Sequence, residues 1–284
     1  MPVISVQEIQ EGIPRLKGKS GARLIRGAMH LASLDRVNDL YDRNCQQQGA
    51  DFAAALLRDI GVDYQIGNHQ RLETLPEGAF ITVSNHPYGH IDGIMLVDLF
   101  GHLRADYKVM VNEILARIRA MGDHFINVIP KGNEETGPKA TSLGGVREAL
   151  GQIRDAHPLG FFPSGAVSDL SLKEHCIRDR EWQVPVLRLI QKAQVPIVLV
   201  RFFDRNSLLF YRLGLIDWRV RLVRLCGEVF NKRGKAVRLG IGETISPEVQ
   251  ATCRTPEELG AMLRRAVYEM PMPASFIPRS IQSL

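Results

Sequence analysis

From residue 79 onward, short apolar runs alternate with amphipathic stretches that are long enough for helices. Short apolar runs are typical of buried strands, and apolar positions repeating every three or four residues are typical of helices. This alternation predicts an α/β fold, with helices flanking a mixed, mostly parallel sheet. The predicted strands are residues 79–84, 107–111, 125–129, 160–163, 196–202, 220–225 and 236–242. The predicted helices are residues 51–60, 92–103, 112–121, 141–156, 184–194 and 256–270.

The first 50 residues are predicted to form a small N-terminal helical extension to an α/β domain of residues 51–284. Basic residues alternate with aliphatic ones between residues 16 and 29. Such a mixture fits a helix that lies in a membrane interface. It fits equally well a helix that is packed on the protein with its charges in water, so a membrane-facing extension is one of two open expectations.

Composition and charge narrow the choice of partners. The 284 residues carry a formal charge of +5, which favours anionic partners such as a lipid surface or an acidic protein. Basic and aromatic residues are not interleaved as in proteins that stack on bases, so no nucleic acid partner is expected. No apolar run approaches the ~20 residues of a membrane-spanning helix. The N-terminus lacks the apolar core of a signal peptide, so a cytoplasmic location is expected.

Neither a metal site nor a bound cofactor is predicted. The four cysteines lie far apart along the chain and the eight histidines are scattered, which argues against a zinc site and a disulfide framework. Glycine fingerprints for nucleotide or dinucleotide phosphates are missing. A cofactor held by the protein is therefore not implied.

A candidate catalytic pair lies in SNHPYGHIDG, residues 84–93. A carboxylate that binds one imidazole nitrogen fixes the tautomer and stabilises the imidazolium formed when the other nitrogen takes a proton. His86 and Asp92 can act in this way only if the chain bends between them, since a regular helix would set them on different faces. Pro87 and Gly89 are suited to such a bend. Without it, a lone histidine near a turn is more often a solvated loop residue.

Three segments follow predicted strands whose carboxyl ends are expected to meet at one edge of the sheet, where α/β proteins bind ligands. The turn candidates Ser164 and Gly165 either form a tight turn or touch substrate, and the polar residues near 201–207 either bind an acceptor phosphate or carboxylate or serve the fold. His90 is a weaker candidate beside the catalytic pair. The candidate substrate-binding residues are Asn85, Gly89, Pro163, Ser164, Gly165, Arg201, Arg205, Asn206 and Ser207.

Three motifs in order, SNHPYGHIDG, GFFPSGAVS at 160–168 and WQVPVLRLIQKAQVPIVLVRFFDRNSLLF at 182–210, resemble the glycerolipid acyltransferase superfamily. They are most similar to its bacterial hemolysin-like lysophospholipid and aminolipid O-acyltransferase branch. The superfamily normally places its His and Asp four residues apart, whereas five residues separate His86 from Asp92, as in the N-H-P-x-G-x-x-D-G branch. Ser164 replaces the glutamate of the superfamily's F-P-E-G segment, which tilts the expectation away from a phosphatidate-type acceptor.

The resemblance implies transfer of an acyl group from an acyl carrier protein or coenzyme A thioester to a lyso-lipid hydroxyl. The acceptor is either lysophosphatidate-like or a lyso-aminolipid. His86 is the expected base, Asp92 orients it, and amides around Ser164 and Gly165 are expected to stabilise the oxyanion. The enzyme is then expected on the inner face of the cytoplasmic membrane.

Two rival functions remain open at the level of sequence. A thioesterase or lipid hydrolase would use the same His and Asp to activate water. A non-enzymatic lipid-binding protein would use the basic surface alone.

Overall fold

The computed structural model describes residues 3–128 and 140–282. Within this part of the chain, a sheet of eight strands and a separate two-stranded hairpin are surrounded by helices. The strands are β1 Gln65–Gly67, β2 Ile81–Ser84, β3 Lys108–Asn112, β4 Phe125–Val128, β5 Leu159–Phe161, β6 Asp169–Ser171, β7 Cys176–Arg178, β8 Ile197–Phe202, β9 Arg238–Ile245 and β10 Phe276–Pro278. The helices are α1 Val6–Gly12, α2 Gly18–Leu31, α3 Leu34–Asn44, α4 Gly49–Ile60, α5 His90–Leu103, α6 Ala140–Arg154, α7 Val184–Ala193, α8 Leu208–Ile216, α9 Trp218–Phe230, α10 Pro247–Gln250 and α11 Pro256–Glu269.

The large sheet has the strand order β10-β1-β9-β8-β2-β5-β3-β4. Its centre, from β8 to β4, is parallel throughout. Within this sheet, the described strands form antiparallel pairs only between β8 and β9 and between β1 and β10. The predicted α/β class with a mixed, mostly parallel sheet is confirmed.

Helices cover both faces of the sheet, which explains why its central strands read as continuous apolar runs. On β8, Val198, Val200 and Phe202 pack into the core beneath α4 and α5. Ile197 and Leu199 pack into the second core, beneath α7 and α11. The strand therefore separates an α5 side of the sheet from an α11 side.

Two predicted elements are wrong. Residues 220–225, predicted as a strand, lie inside α9, where Leu225 and Val229 share the buried face at helical spacing. Residues 112–121, predicted as one helix, form two short 3₁₀ segments, Glu113–Arg117 and Arg119–His124. The predicted strand 125–129 is present as β4, although residue 129 lies outside the described residues.

The N-terminal segment forms α1, α2 and α3, as the predicted helical extension requires. Helix α2 packs on the protein through Ile25 and Met29, while Arg23 and Arg26 are exposed. A helix of this kind satisfies its apolar face within the protein. Its contact with a membrane stays a prediction, and so does the boundary at residue 50.

Candidate active site

The loop between β2 and α5 lies at the carboxyl edge of the parallel strands. Ser84, the last residue of β2, lies beside Val200 of β8, and Val83 lies beside Phe161 of β5. Because these three strands run in the same direction and end together, the segments that follow them leave the sheet side by side. The three segments singled out in the sequence therefore meet at one edge.

The structure brings His86 and Asp92 into contact. Nδ1 of His86 lies 2.7 Å from Oδ2 of Asp92. The Asp92 side chain is fully buried, whereas 16% of the His86 side chain is exposed. The separation is short, yet Nδ1 has no partner that meets hydrogen-bond geometry, so the contact is close but is not an aligned hydrogen bond. The pair thus has one buried member and one that a substrate can reach.

Asp92 is the third residue of α5, so its carboxylate lies at the amino end of that helix. Both of its oxygens accept from the amide of Tyr88, at 3.2 and 3.1 Å, and Oδ2 also accepts from the amide of Gly89 at 3.1 Å. The positive end of the helix dipole favours a carboxylate at this place. Burial nevertheless raises the pKa of Asp92, while His86 and the two amides act in the opposite direction. The charge of Asp92 therefore depends on these few contacts.

Gly89 makes the bend that brings the pair together. Its φ is +87°, in the region of backbone conformation that favours glycine. A Cβ at this position would lie 2.9 Å from a side-chain carbon of Val167 and 3.1 Å from one of Leu225. Conformation and crowding both require glycine here. The role that the geometry gives Gly89 is the bend, and its contact with substrate stays a prediction.

The position of His86 is fixed by its ring and by both of its backbone groups. The ring packs on Phe162, with 4.1 Å between the ring centroids. The carbonyl of His86 accepts from the amide of Ser168 at 2.9 Å, and its amide donates to Oδ1 of Asp179 at 3.1 Å. Because Nδ1 faces Asp92, Nε2 is the ring nitrogen that is left to exchange a proton with substrate.

Asp179 is a positioning residue that sequence reasoning missed. It is buried, and its carboxylate also accepts from the hydroxyl of Ser168 at 2.6 Å and from the indole of Trp182 at 3.3 Å. It lies 93 residues beyond His86, after the small β6–β7 hairpin, and no motif marks it. Only the folded chain shows that this carboxylate holds the backbone of His86.

The segment that begins at Pro163 is a tight turn. Gly165 has a φ of +63°, and its amide donates to the carbonyl of Phe162 at 2.9 Å. The hydroxyl of Ser164 donates to a carbonyl two residues later at 2.8 Å, while Gln183 donates to the carbonyls of Pro163 and Ser164. The Gly165 amide is thus bonded within the turn, and its part as an oxyanion donor stays a prediction. Substrate contact by the turn stays a prediction.

The side chains of Asn85 and Asn206 bind backbone groups. Asn85 exchanges two hydrogen bonds with Phe202 of β8, at 2.9 and 2.8 Å, and so ties the start of the catalytic loop to the sheet. Asn206 donates to the carbonyl of Tyr88 at 3.1 Å. Its buried Oδ1 has no partner among the described residues. Asn85 is thus fully engaged, whereas Asn206 keeps an acceptor beside the loop.

The remaining predicted binding residues lie in three different environments. Ser207 caps the start of α8 and donates to a carboxylate oxygen of Glu228 at 2.7 Å. Arg205 is exposed. Arg201 projects to the α11 side of β8, where its guanidinium donates to the carbonyl of Met270 at 2.6 Å. The structure therefore does not bring Arg201 to the α5 side with Asp92, because successive side chains of a strand alternate between the two faces.

His90, at the start of α5, is a second titratable group beside the pair. It is half-buried. Burial, with a smaller contribution from His86, lowers the pKa of His90 to about 4. This imidazole is therefore uncharged at neutral pH and adds no cation next to His86.

Comparison with known proteins identifies the family. The sequence profile of a family described as acyltransferase matches residues 14–271. The chain belongs to this acyltransferase family. The superfamily predicted from the three motifs is confirmed, and the acyltransferase is an O-acyltransferase enzyme, as predicted.

Two curated relatives are named lyso-glycine lipid O-acyltransferase. The one from Bacteroides thetaiotaomicron is 27% identical to the acyltransferase over 244 residues, which is 83% of this chain and 85% of the relative. The one from Phocaeicola vulgatus is 26% identical over 249 residues, 85% of each. A crystal structure of the 1-acyl-sn-glycerophosphate (LPA) acyltransferase PlsC from Thermotoga maritima is similar with a TM-score of 0.46 and 16% identity, covering 79% of this chain and 83% of that one.

Across residues 3–128 and 140–282, no three His, Cys, Asp or Glu side chains of the acyltransferase are grouped so as to hold a metal ion. None of the described helices combines the length and apolarity needed to cross a bilayer. Surface depressions of about 480 and 420 Å³ lie along α11 and between α2 and α3. Neither is lined by His86 or Asp92, so neither marks the place of an acyl chain beside the pair.

Proposed function

We propose that the acyltransferase moves a fatty acyl group from a thioester to the hydroxyl of a lyso-lipid in membrane lipid biosynthesis. The observation that carries this proposal is the 2.7 Å contact between His86 and the buried Asp92, at the sheet edge of a chain that belongs to the acyltransferase family. The names of the two curated relatives support a lyso-lipid acceptor.

In the proposed mechanism, Nε2 of His86 removes the proton of the acceptor hydroxyl as the oxygen attacks the thioester carbonyl. The ionised Asp92 orients the ring and stabilises the imidazolium. The tetrahedral intermediate then breaks its carbon–sulfur bond, and His86 returns the proton to the departing thiolate. An ester and a free thiol are formed, and the pair regains its starting state. With the Gly165 amide occupied, the backbone amide of Ser164 is the proposed oxyanion donor.

We infer that the acceptor is a lyso-aminolipid, such as the lyso-glycine lipid that the relatives are named for. Ser164 takes the place of the superfamily's glutamate. It is buried, and its hydroxyl is bonded inside the turn, so it does not supply the charged contact of a carboxylate. An acceptor that differs from lysophosphatidate fits this change.

The proposed donors are acyl carrier protein and coenzyme A thioesters, bound only during turnover and without a resident cofactor. The formal charge of +5 favours approach to an acidic carrier protein and to an anionic membrane surface. The proposed location is the cytoplasm, on the inner face of the cytoplasmic membrane.

In the test, the purified protein is incubated with lyso-glycine lipid or lysophosphatidate, each together with an acyl carrier protein or coenzyme A thioester. Mass spectrometry measures the diacyl product and free fatty acid. We expect diacyl glycine lipid to form in preference to phosphatidate, and His86→Ala to abolish it. Free fatty acid released equally with and without acceptor would instead identify a thioesterase. Vesicle binding without transfer to either acceptor would contradict the proposed substrate class.

A further inference from the structure

The outer face of the helical hairpin α8–α9 exposes an unusual number of large apolar side chains. Of the sixteen such side chains exposed among the described residues, eight lie between residues 208 and 223. Monomeric proteins rarely keep apolar patches of this kind in water unless the patch has a partner. We call these eight residues the hairpin surface: Leu208, Leu209, Leu215, Ile216, Trp218, Val220, Leu222 and Val223.

The hairpin surface follows the helical repeat on α8, so its side chains there lie on one face of the helix. On α8, Phe210 and Tyr211 face the protein. The opposite face of that helix carries only aliphatic side chains and Arg212, and Ile216 on it is 78% exposed. A helix that is apolar on its buried face and again on its outer face requires a second apolar environment.

The charge around the hairpin surface is strongly positive. Residues 205–224 contain five arginines and one aspartate. Arg205, Arg212 and Arg224 are exposed on the same segment, although Arg224 also lies 3.3 Å from the buried carboxylate of Glu228. Arg221 is buried and paired with Asp169. Exposed aliphatic side chains with arginines on the same segment are suited to a membrane interface that carries anionic headgroups. A symmetric dimer through this face would bring like charges together, which disfavours a second copy as the occupant.

The hairpin is in direct contact with the catalytic loop. The hydroxyl of Tyr211 donates to the carbonyl of Pro87 at 2.8 Å. Leu225 of α9 packs against Gly89, where an added Cβ would approach it to 3.1 Å. The inner face of the hairpin makes these contacts, so a membrane bound to its outer face would lie one helix diameter, about 10 Å, from the loop that holds His86 and Asp92.

We propose that the α8–α9 hairpin surface docks the acyltransferase on an anionic membrane and places the catalytic loop at the level of lipid headgroups. The purpose of this docking rests on the proposed lyso-lipid acceptor, whose hydroxyl lies at that level. The docking itself does not depend on the identity of the acceptor. Helix α2 then contributes to membrane binding mainly through its basic charge, because its exposed face carries only two large apolar side chains, Leu24 and Leu31.

The experiment measures sedimentation of the full-length protein with phosphatidylcholine vesicles, with and without phosphatidylglycerol. The double variant Leu215→Ser/Ile216→Ser changes two exposed side chains, and Leu24→Ser/Leu31→Ser on α2 is its matched control. We expect the hairpin variant to bind anionic vesicles about tenfold more weakly or worse, given the apolar area removed. We expect the α2 variant to stay within about threefold of wild type.

Tryptophan fluorescence gives a second measurement on the same protein. Trp218 is half-exposed on the hairpin surface and Trp182 is buried. Anionic vesicles should shift wild-type emission to shorter wavelength, and Trp218→Phe should remove the shift because only Trp182 remains. Arg212→Glu should weaken binding to anionic vesicles but not to neutral ones. These readouts do not depend on the double variant folding well.

Several outcomes would overturn the proposal. They are unchanged vesicle binding by the hairpin variant, loss of binding only in the α2 variant, or a wild-type dimer that the hairpin variant converts to monomer while vesicle binding is unchanged. Acyl transfer is assayed in parallel with a short-chain, water-soluble acceptor, for which the hairpin variant should retain activity. No transfer to any acceptor, together with hairpin-dependent vesicle binding, would reject the proposed function and leave the docking surface intact.

Discussion

Helix α5 carries a histidine–aspartate contact at each of its ends, and the two contacts differ in their surroundings. At the amino end, Nδ1 of His86 lies 2.7 Å from Asp92, whose other partners are the backbone amides of Tyr88 and Gly89. Of these partners, only His86 can carry a full positive charge, because the other two are uncharged backbone amides. The imidazole is thus the group that Asp92 stabilises when it becomes charged.

At the carboxyl end, the carboxylate of Asp98 is already satisfied. It accepts from the hydroxyl of Tyr64 at 2.7 Å and from the guanidinium of Arg279 at 3.0 and 3.1 Å. Nδ1 of His102 lies 2.6 Å from the carbonyl of Asp98, and Nε2 lies 3.2 Å from Asp51. Both ring nitrogens have protein partners, so this contact ties the C-terminal segment and α4 to α5.

The comparison shows that a short His–Asp distance does not by itself define a catalytic pair. What distinguishes the amino end is a buried carboxylate without an arginine, the positive end of a helix, and one ring nitrogen directed away from the carboxylate. The two ends therefore provide matched variants, one expected to affect chemistry and the other stability.

The largest expected effect is on the base itself. His86→Ala should lower kcat/KM by about 10²–10⁴-fold, the usual contribution of a general base. His102→Ala should change kcat/KM by no more than about threefold. Rates with acyl donor and lyso-lipid measure both. Similar losses in the two variants would remove the distinction between the ends of α5.

Substitution of the aspartates should separate chemistry from stability. Asp92→Asn should lower kcat/KM by about 10²–10⁴-fold, because the amide no longer stabilises an imidazolium. Asp98→Asn should leave kcat/KM nearly unchanged but lower the free energy of unfolding by about 3 kcal/mol, since Arg279 loses its buried partner. Denaturant unfolding and steady-state kinetics test the pair. A kinetic defect in Asp98→Asn that exceeds its loss of folded protein would contradict the assignment.

A smaller effect on kcat is expected from substitution of Asp179, which accepts a hydrogen bond from the backbone amide of His86. Asp179→Asn should reduce kcat by about tenfold with little change in KM. The carboxylate accepts three hydrogen bonds, and the NH₂ group of asparagine would repel one of these donors and shift the loop. Near-wild-type kcat in a folded Asp179→Asn protein would show that the loop keeps its position without this carboxylate.

The smallest expected effect concerns pH and His90. Its pKa is lowered to about 4 in the folded protein, so the folded state binds fewer protons than the unfolded state between that value and the ordinary pKa near 6.5. Stability from this group is present above about pH 6.5 and is lost as the pH falls towards 4. His90→Gln should reduce this acid destabilisation by about 1 kcal/mol, allowing for the partial exposure of the ring. Unchanged pH dependence of unfolding would show that His90 does not contribute.

The sequence by itself determined the sheet and the outline of the site. The apolar runs at β2, β5 and β8 are buried on both faces, so the local pattern alone identified them as central parallel strands. Their shared direction placed the His86 loop and the turn at Ser164 at one edge. The glycine at position 89 was readable as a bend for the same local reason.

Only the tertiary structure decided which polar groups are already satisfied. Asp179, Asn85 and the amide of Gly165 take their roles from partners that lie far along the chain or across a turn, and local patterns carry no record of such partners. Residues 220–225 read as a strand because their apolar content is high on both faces, yet the chain packs them as a helix with one apolar face left outward. The sequence thus determined where apolar side chains repeat, and the fold determined which of them find a partner within the protein.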